Sequence, residues 1–234
     1  MELISTKLKN GILLYADKTE QPSIVPWLLG SFSSLAGKKS LLEMCSGSGA
    51  ASFWCVDNGF QGKITLLDFR ENALFCAKKT IEANQLSDID CVCGNIEEFN
   101  PLKKYDAVLC NPPFFSENSV SKDSDLRAIR HESGLTLDFL CEAVARSIKQ
   151  KGHFYLCHTP SRLIEIIISL HTARFEIKRI RFCRHTASSI PFLVLIDAVY
   201  LGGKGMTVLP DFIVQDDSGE NTAEMNSLIE RKCK

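Results

Sequence analysis

The sequence predicts an α/β fold: a doubly wound, mostly parallel sheet with helices on both faces and one antiparallel strand near the C-terminus. Three observations carry that prediction. From about Ser40, short apolar runs of strand length alternate with amphipathic stretches of helix length. A turn carrying Gly47 and Gly49 joins the first such run to the first helix. The last two strand-like runs have no helix between them, so the second must return antiparallel to the first.

The elements follow in order. Ser40–Met44 is a buried strand, and Gly49–Gly59 a helix closed by glycine. Lys63–Asp68 is the second strand, followed by a helix over Arg70–Gln85 with apolar residues at helical spacing. Ile89–Gly94 and Tyr105–Cys110 are the third and fourth strands. A polar stretch, Ser116–Asp125, reads as a mobile loop. Then come a helix around Thr136–Lys149, a strand at Gly152–Cys157 and a helix at Pro160–Thr172, where Pro160 suits a first turn. Strands at Phe175–Cys183 and Phe192–Leu201 complete a seven-stranded sheet. The organisation expected is an N-terminal extension (1–37) packing on the main domain (38–215), with a polar tail (216–234) that frays.

A chain of 234 residues, 45% apolar and 24% charged, can bury one large core. Its net charge of −1 means that nucleic-acid affinity would need a local basic patch. Of its ten cysteines none forms a Cys-x-x-Cys pair, and Cys91 and Cys93 on one strand would point to opposite faces. Reduced, mostly buried thiols in a cytoplasmic protein with no obligate metal are expected. The N-terminus has no apolar core of signal-peptide length, and the longest apolar run, "RLIEIIISL", is broken by Glu165, so no membrane association is expected.

Ligands of such sheets bind at the carboxyl ends of the strands. There "EMCSGSG" (Glu43–Gly49) offers two glycines for close backbone approach, although a plain strand-to-helix turn reads the same way. A dinucleotide fingerprint would need a third glycine where Ser52 stands. The Glu43 carboxylate would repel a pyrophosphate and attract a sulfonium, favouring S-adenosylmethionine over NAD. Asp68 ends the second strand, where a carboxylate takes ribose hydroxyls; its alternative role is to cap the following helix. Asn95 is either an adenine contact or an ordinary turn residue.

The fourth strand leaves through "NPPFF". Pro112 and Pro113 cannot join a ladder and stiffen the turn. The Asn111 side-chain carbonyl and the Pro112 main-chain carbonyl are then two fixed acceptors for one planar amino group, and Phe114 offers a ring on which a flat base stacks. Such a base must be unpaired or flipped out. Phe115 reads as core.

With these motifs the chain resembles class I S-adenosylmethionine-dependent methyltransferases of the amino-methylating kind, with a seven-stranded Rossmann-like sheet. "IRHE" (Ile129–Glu132), "KRIRF" (Lys178–Phe182), "LVLIDA" (Leu193–Ala198) and the stretch Gly202–Met225 extend the resemblance to the bacterial tRNA1(Val) adenine-37 N6-methyltransferases. That resemblance implies methylation of an adenine N6 in tRNA. It implies Asn111, Pro112, Pro113 and Phe114 as catalytic residues, and donor contacts from Glu43, Cys45, Ser46, Gly47, Gly49, Asp68, Phe69, Asn95, Ile96 and Asn111. Phe114 stands where tyrosine is usual, and Asn95 where aspartate is common. Residues expected to meet RNA phosphates are Lys178, Arg179, Arg181 and Arg184 on the basic strand, with Arg127 and Arg130 behind the polar loop. A solvated strand end is the plainer reading of that basic run. A glutamine-N5 protein methyltransferase, a guanine-N2 or DNA-adenine enzyme, and a non-catalytic RNA-binding module remain alternatives; the oligomeric state is not encoded legibly.

Overall fold

The computed structural model describes residues 1–112 and 136–229. The expectations placed on Pro113, Phe114, Phe115, Ser116–Asp125, Arg127, Arg130 and "IRHE" lie outside those residues.

The chain opens with a hairpin, β1 (Leu3–Lys7) and β2 (Leu13–Asp17), and helix α1 (Val25–Phe32). The alternating part follows: β3 (Ser40–Met44), α2 (Ala50–Asp57), β4 (Lys63–Asp68), α3 (Glu71–Ala83), β5 (Ile89–Cys93) and β6 (Tyr105–Cys110). After the undescribed segment come α4 (Leu137–Ser147), β7 (Ile148–His158), α5 (Leu163–Thr172), β8 (Phe175–Arg184) and β9 (Leu193–Tyr200). Two-residue strands β10 (Thr207–Val208) and β11 (Phe212–Ile213) precede α6 (Ala223–Ile229).

The main sheet runs β10-β8-β9-β7-β6-β3-β4-β5, with β11 also on β8. The seven expected strands are its body, and β10 and β11 add to its edge. Strands β7, β6, β3, β4 and β5 are parallel, while β9 runs antiparallel to both β7 and β8. Strand order reverses between β3 and β6, which makes their carboxyl ends the switch point where ligands of such sheets bind.

Alternate strand residues face two cores, as a central strand requires. Leu41 and Leu109 join the layer of α1, α2, α3 and α6; Leu42, Met44 and Val108 join the layer of α4 and α5. Gly49 shows why that packing needs glycine. Its φ is +79°, and a Cβ there would meet Leu66 Cδ1 and Phe53 Cε2 at 2.8 Å.

Two expectations change. The strand predicted at Gly152–Cys157 begins at Ile148, directly after α4, whose first turn is capped by Thr136 Oγ accepting from Phe139 N at 3.2 Å. The C-terminal tail does not fray where it is described. Residues 223–229 form a helix because Met225 and Leu228, three apart, share one face and bury it against the core. The hairpin is tied down by the Asp57 carboxylate, which accepts from Asn10 N at 2.7 Å and Ile12 N at 2.9 Å.

Candidate functional site

A cavity of about 490 Å³ opens at the carboxyl ends of β3, β4, β5 and β6, a size typical of small-molecule and cofactor sites. Cys45, Ser46, Gly47, Asp68, Phe69, Asn95, Ile96, Asn111 and Pro112 all line it. These residues are scattered over 68 positions of sequence, and the parallel register brings their strand ends level: Met44 stands opposite both Leu67 and Cys110.

The turn after β3 is built from left-handed residues. Cys45 has φ 54°, Gly47 54° and Gly49 79°. A β-carbon in that region costs about 1–2 kcal/mol, so Cys45 holds strained backbone at the cavity wall. Ser46 Oγ is buried and has no hydrogen-bond partner among the described residues. A buried hydroxyl without a partner is costly unless a ligand or water completes it.

Asp68 is nearly fully buried and heavily used. Its Oδ2 accepts from Gly47 N at 2.7 Å, and its Oδ1 from Arg70 N and Arg70 Nε, both at 3.0 Å. It therefore braces the glycine turn and binds Arg70. Arg70 reaches on to Glu20 Oε2 at 3.0 Å, so the N-terminal segment closes one side of the cavity. Phe69 is half exposed and presents a ring wall, while Ile96 is buried beside it. Asn95 Oδ1 accepts from Glu97 N at 3.2 Å, which is the turn-residue role.

Glu43 and Gly49 are not in the lining. The Glu43 carboxylate points beneath the turn and accepts from Ser52 N at 2.9 Å, in the first turn of α2. Burial raises its pKa to about 7 against the Ser52 bonds that lower it. The expectation that this carboxylate faces a sulfonium is corrected: Glu43 is 3% exposed and anchors a helix start. Gly49 serves packing.

Asn111 is half-buried at the cavity, and its Oδ1 accepts the Cys157 Sγ–H at 3.1 Å. One side of the amide oxygen is thus held by the protein.

On β8, where a phosphate track was expected, the cations have partners within the chain. Lys178 Nζ donates to the Gly203 and Gly205 carbonyls. Arg179 Nε binds Asp197 Oδ2 at 2.8 Å, and its guanidinium lies 4.7 Å over the Phe32 ring. Arg181 pairs with Glu224 at 2.8 Å and the Pro210 carbonyl at 2.9 Å, and Arg184 with Asp211 at 2.5 Å. These cations hold β9, the loops after it and α6 to the sheet edge.

Sequence reasoning missed Arg70, Glu20, Pro22 and Pro26 as cavity residues, and Cys157 behind Asn111. Arg70 was signalled by its place two residues after Asp68. The others come from distant segments and carry no local mark.

Among the described residues no helix is long and apolar enough to cross a membrane, and no group of three potential ligands could hold a metal ion.

Comparison with known proteins supplies the family. A curated tRNA1(Val) (adenine(37)-N6)-methyltransferase of Pseudoalteromonas translucida (strain TAC 125) is 27% identical over 145 residues, 62% of this chain and 62% of that protein. The match thus spans less than two thirds of that relative. A protein from Agrobacterium tumefaciens described as a predicted O-methyltransferase shares the fold with a TM-score of 0.70 at 16% identity, over 87% of this chain and 94% of that one. A glycopeptide N-methyltransferase solved with S-adenosylmethionine superposes with a TM-score of 0.53 at 14% identity, covering 75% and 93%. The model of the methyltransferase small domain matches residues 27–152, more than half of the chain and the same strands whose ends form the cavity. By that match the chain belongs to the methyltransferase small domain family.

Proposed function

We propose that this methyltransferase acts on an exocyclic amine, adenine N6 of a tRNA. The observation that carries the reading is the placement of Asn111 and Pro112 on the wall of the cavity that the glycine turn, Asp68 and Phe69 also line. An amide acceptor at that wall suits an amine substrate. The name of the curated relative supports adenine N6 and tRNA as the finer assignment.

The cavity residues fit the donor. Gly47 and the strained Cys45 bring backbone close, Ser46 Oγ awaits a polar partner, and Phe69 and Ile96 form an apolar slot for a flat base. Asp68 lines the same wall beside Arg70 and is the carboxylate assigned here to the ribose hydroxyls. When bound, the donor supplies an electrophilic methyl carbon. The remaining work is orientation by this chain: Asn111 Oδ1 and the Pro112 carbonyl accept the two amine hydrogens and aim the nitrogen lone pair. Near-attack positioning of this kind is worth about 7–11 kcal/mol. No strong base is needed, because a methylated amine releases its proton readily. Pro113 and Phe114 complete the motif in the sequence, and such chemistry belongs in the cytoplasm, where tRNA is modified.

The commitment of Lys178, Arg179, Arg181 and Arg184 to internal partners removes one argument for RNA over a protein glutamine, whose side-chain amide suits the same pair of acceptors. The test offers the enzyme unmodified tRNA and, separately, a glutamine-containing protein extract, each with labelled donor. N6-methyladenosine in digested tRNA is the expected product. Label confined to N5-methylglutamine would replace the reading, and label in neither would overturn the amine assignment.

A further inference from the structure

We propose that Cys157 is a positioning residue, whose thiol selects the orientation of the Asn111 amide. The proposal rests on the catalytic role given above to Asn111 and assigns a residue that acts through it.

Strands β6 and β7 are parallel, with Cys110 opposite Leu156. Each strand's next residue is therefore carried past the paired region together, and Cys157 arrives beside Asn111. The Cys157 side chain is fully buried. Its Sγ lies 3.1 Å from Asn111 Oδ1 and 3.9 Å from the Cys110 carbonyl, so the amide oxygen is the nearer acceptor. Burial pushes this thiol well above the ordinary thiol range, and the neighbouring Cys183 acts in the same direction. It keeps its proton and acts as a donor.

A primary amide has nearly the same shape with its oxygen and nitrogen exchanged. Sterics alone cannot choose between them; hydrogen bonding does. A protonated thiol is a weak acceptor and a usable donor, so it favours the carbonyl side. The oxygen has two lone pairs. One is taken by Cys157 and the other remains for the amine. Without the thiol, the flipped amide would present N–H groups to an amine that itself needs acceptors.

The test compares Cys157→Ala with Cys157→Ser, two variants that remove the same sulfur and differ in the hydroxyl donor. Three quantities are read: kcat for amine methylation, calorimetric affinity for S-adenosylhomocysteine, and the ¹⁵N side-chain resonance of Asn111, assigned by its loss in Asn111→Ala. The Ala variant is expected to lose about five- to tenfold in kcat, the size of one modest hydrogen bond. Its donor-product affinity is expected to stay within about twofold, with a shifted Asn111 resonance. The Ser variant is expected to recover both kcat and resonance. Equal loss in Ala and Ser, or an unmoved resonance in Ala, would overturn the proposal. If the wild-type enzyme methylates no amine, the functional reading fails by itself, and the resonance comparison still decides the role of the thiol.

Discussion

The switch-point edge and strand β8 are both rich in polar groups and treat them in opposite ways. At the ends of β3, β4 and β6, several polar groups face a cavity: Ser46 Oγ has no partner among the described residues, and Asn111 is only half-buried. Along β8, each of the four cations expected to meet phosphate is bound to a carbonyl or carboxylate of the same chain. The first region spends backbone strain at Cys45 to remain open; the second spends charge to close the antiparallel edge. A charge in the sequence is therefore not by itself a free charge for a ligand, since these four have partners within the chain, whereas a strained turn marks a place that packing alone does not explain.

The comparison breaks most visibly at Arg179. Asp197 is 2% exposed and holds both Arg179 and His153, each at 2.8 Å. Replacing Arg179 with Met leaves the buried Asp197 carboxylate with His153 as its remaining partner, and stability should fall by about 3 kcal/mol in urea titrations. RNA affinity of the folded variant should stay within about twofold. A tenfold loss of RNA affinity with unchanged stability would restore the phosphate-track reading.

Glu43 sharpens the other side. Its pKa is raised from 4.5 to about 7, so the folded state holds this proton more tightly than the unfolded chain. The contribution is most favourable below pH 4.5 and is lost as pH rises to about 7, with no further change above. Glu43→Gln should therefore gain on the wild type by up to about 3 kcal/mol between pH 4 and pH 8. A gap that does not vary with pH would mean that this carboxylate is not anchoring α2 from a dry site.

The smallest effect is expected at Arg181. Its pair with Glu224 is partly exposed, so Arg181→Ala should cost about 1 kcal/mol or less beyond the contact its guanidinium makes over Phe212. The salt dependence of RNA binding should keep its slope. A slope smaller by about 1 would identify a phosphate contact.

The sheet was legible because apolar periodicity is a local property. The runs at Ser40–Met44, Lys63–Asp68 and Tyr105–Cys110 specify strands by themselves, and their parallel order places Asn111 beside the glycine turn without further information. Partners were harder to read. Arg179 and Asp197 stand directly opposite in the β8–β9 register, so fixing that register from sequence would have revealed the pair. Arg181 meets Glu224 only through the chain's later return to the sheet edge, and Glu20 meets Arg70 across the cavity in the same long-range way. Glu43 was misread because its strand position says which end of the sheet it occupies, but not whether its carboxylate turns to the ligand or to the helix start. The tail helix was missed since two apolar residues, Met225 and Leu228, are too few to stand out from polar neighbours.

The central claim is that the amide at position 111 orients the acceptor amine beside the donor, and the rate of methyl transfer at saturating donor tests it most directly. In Asn111→Ala the single-turnover rate on unmodified tRNA should fall about 10²–10³-fold, while S-adenosylhomocysteine affinity stays within about twofold. A rate within tenfold of wild type, or a loss of product affinity equal to the loss of rate, would contradict it.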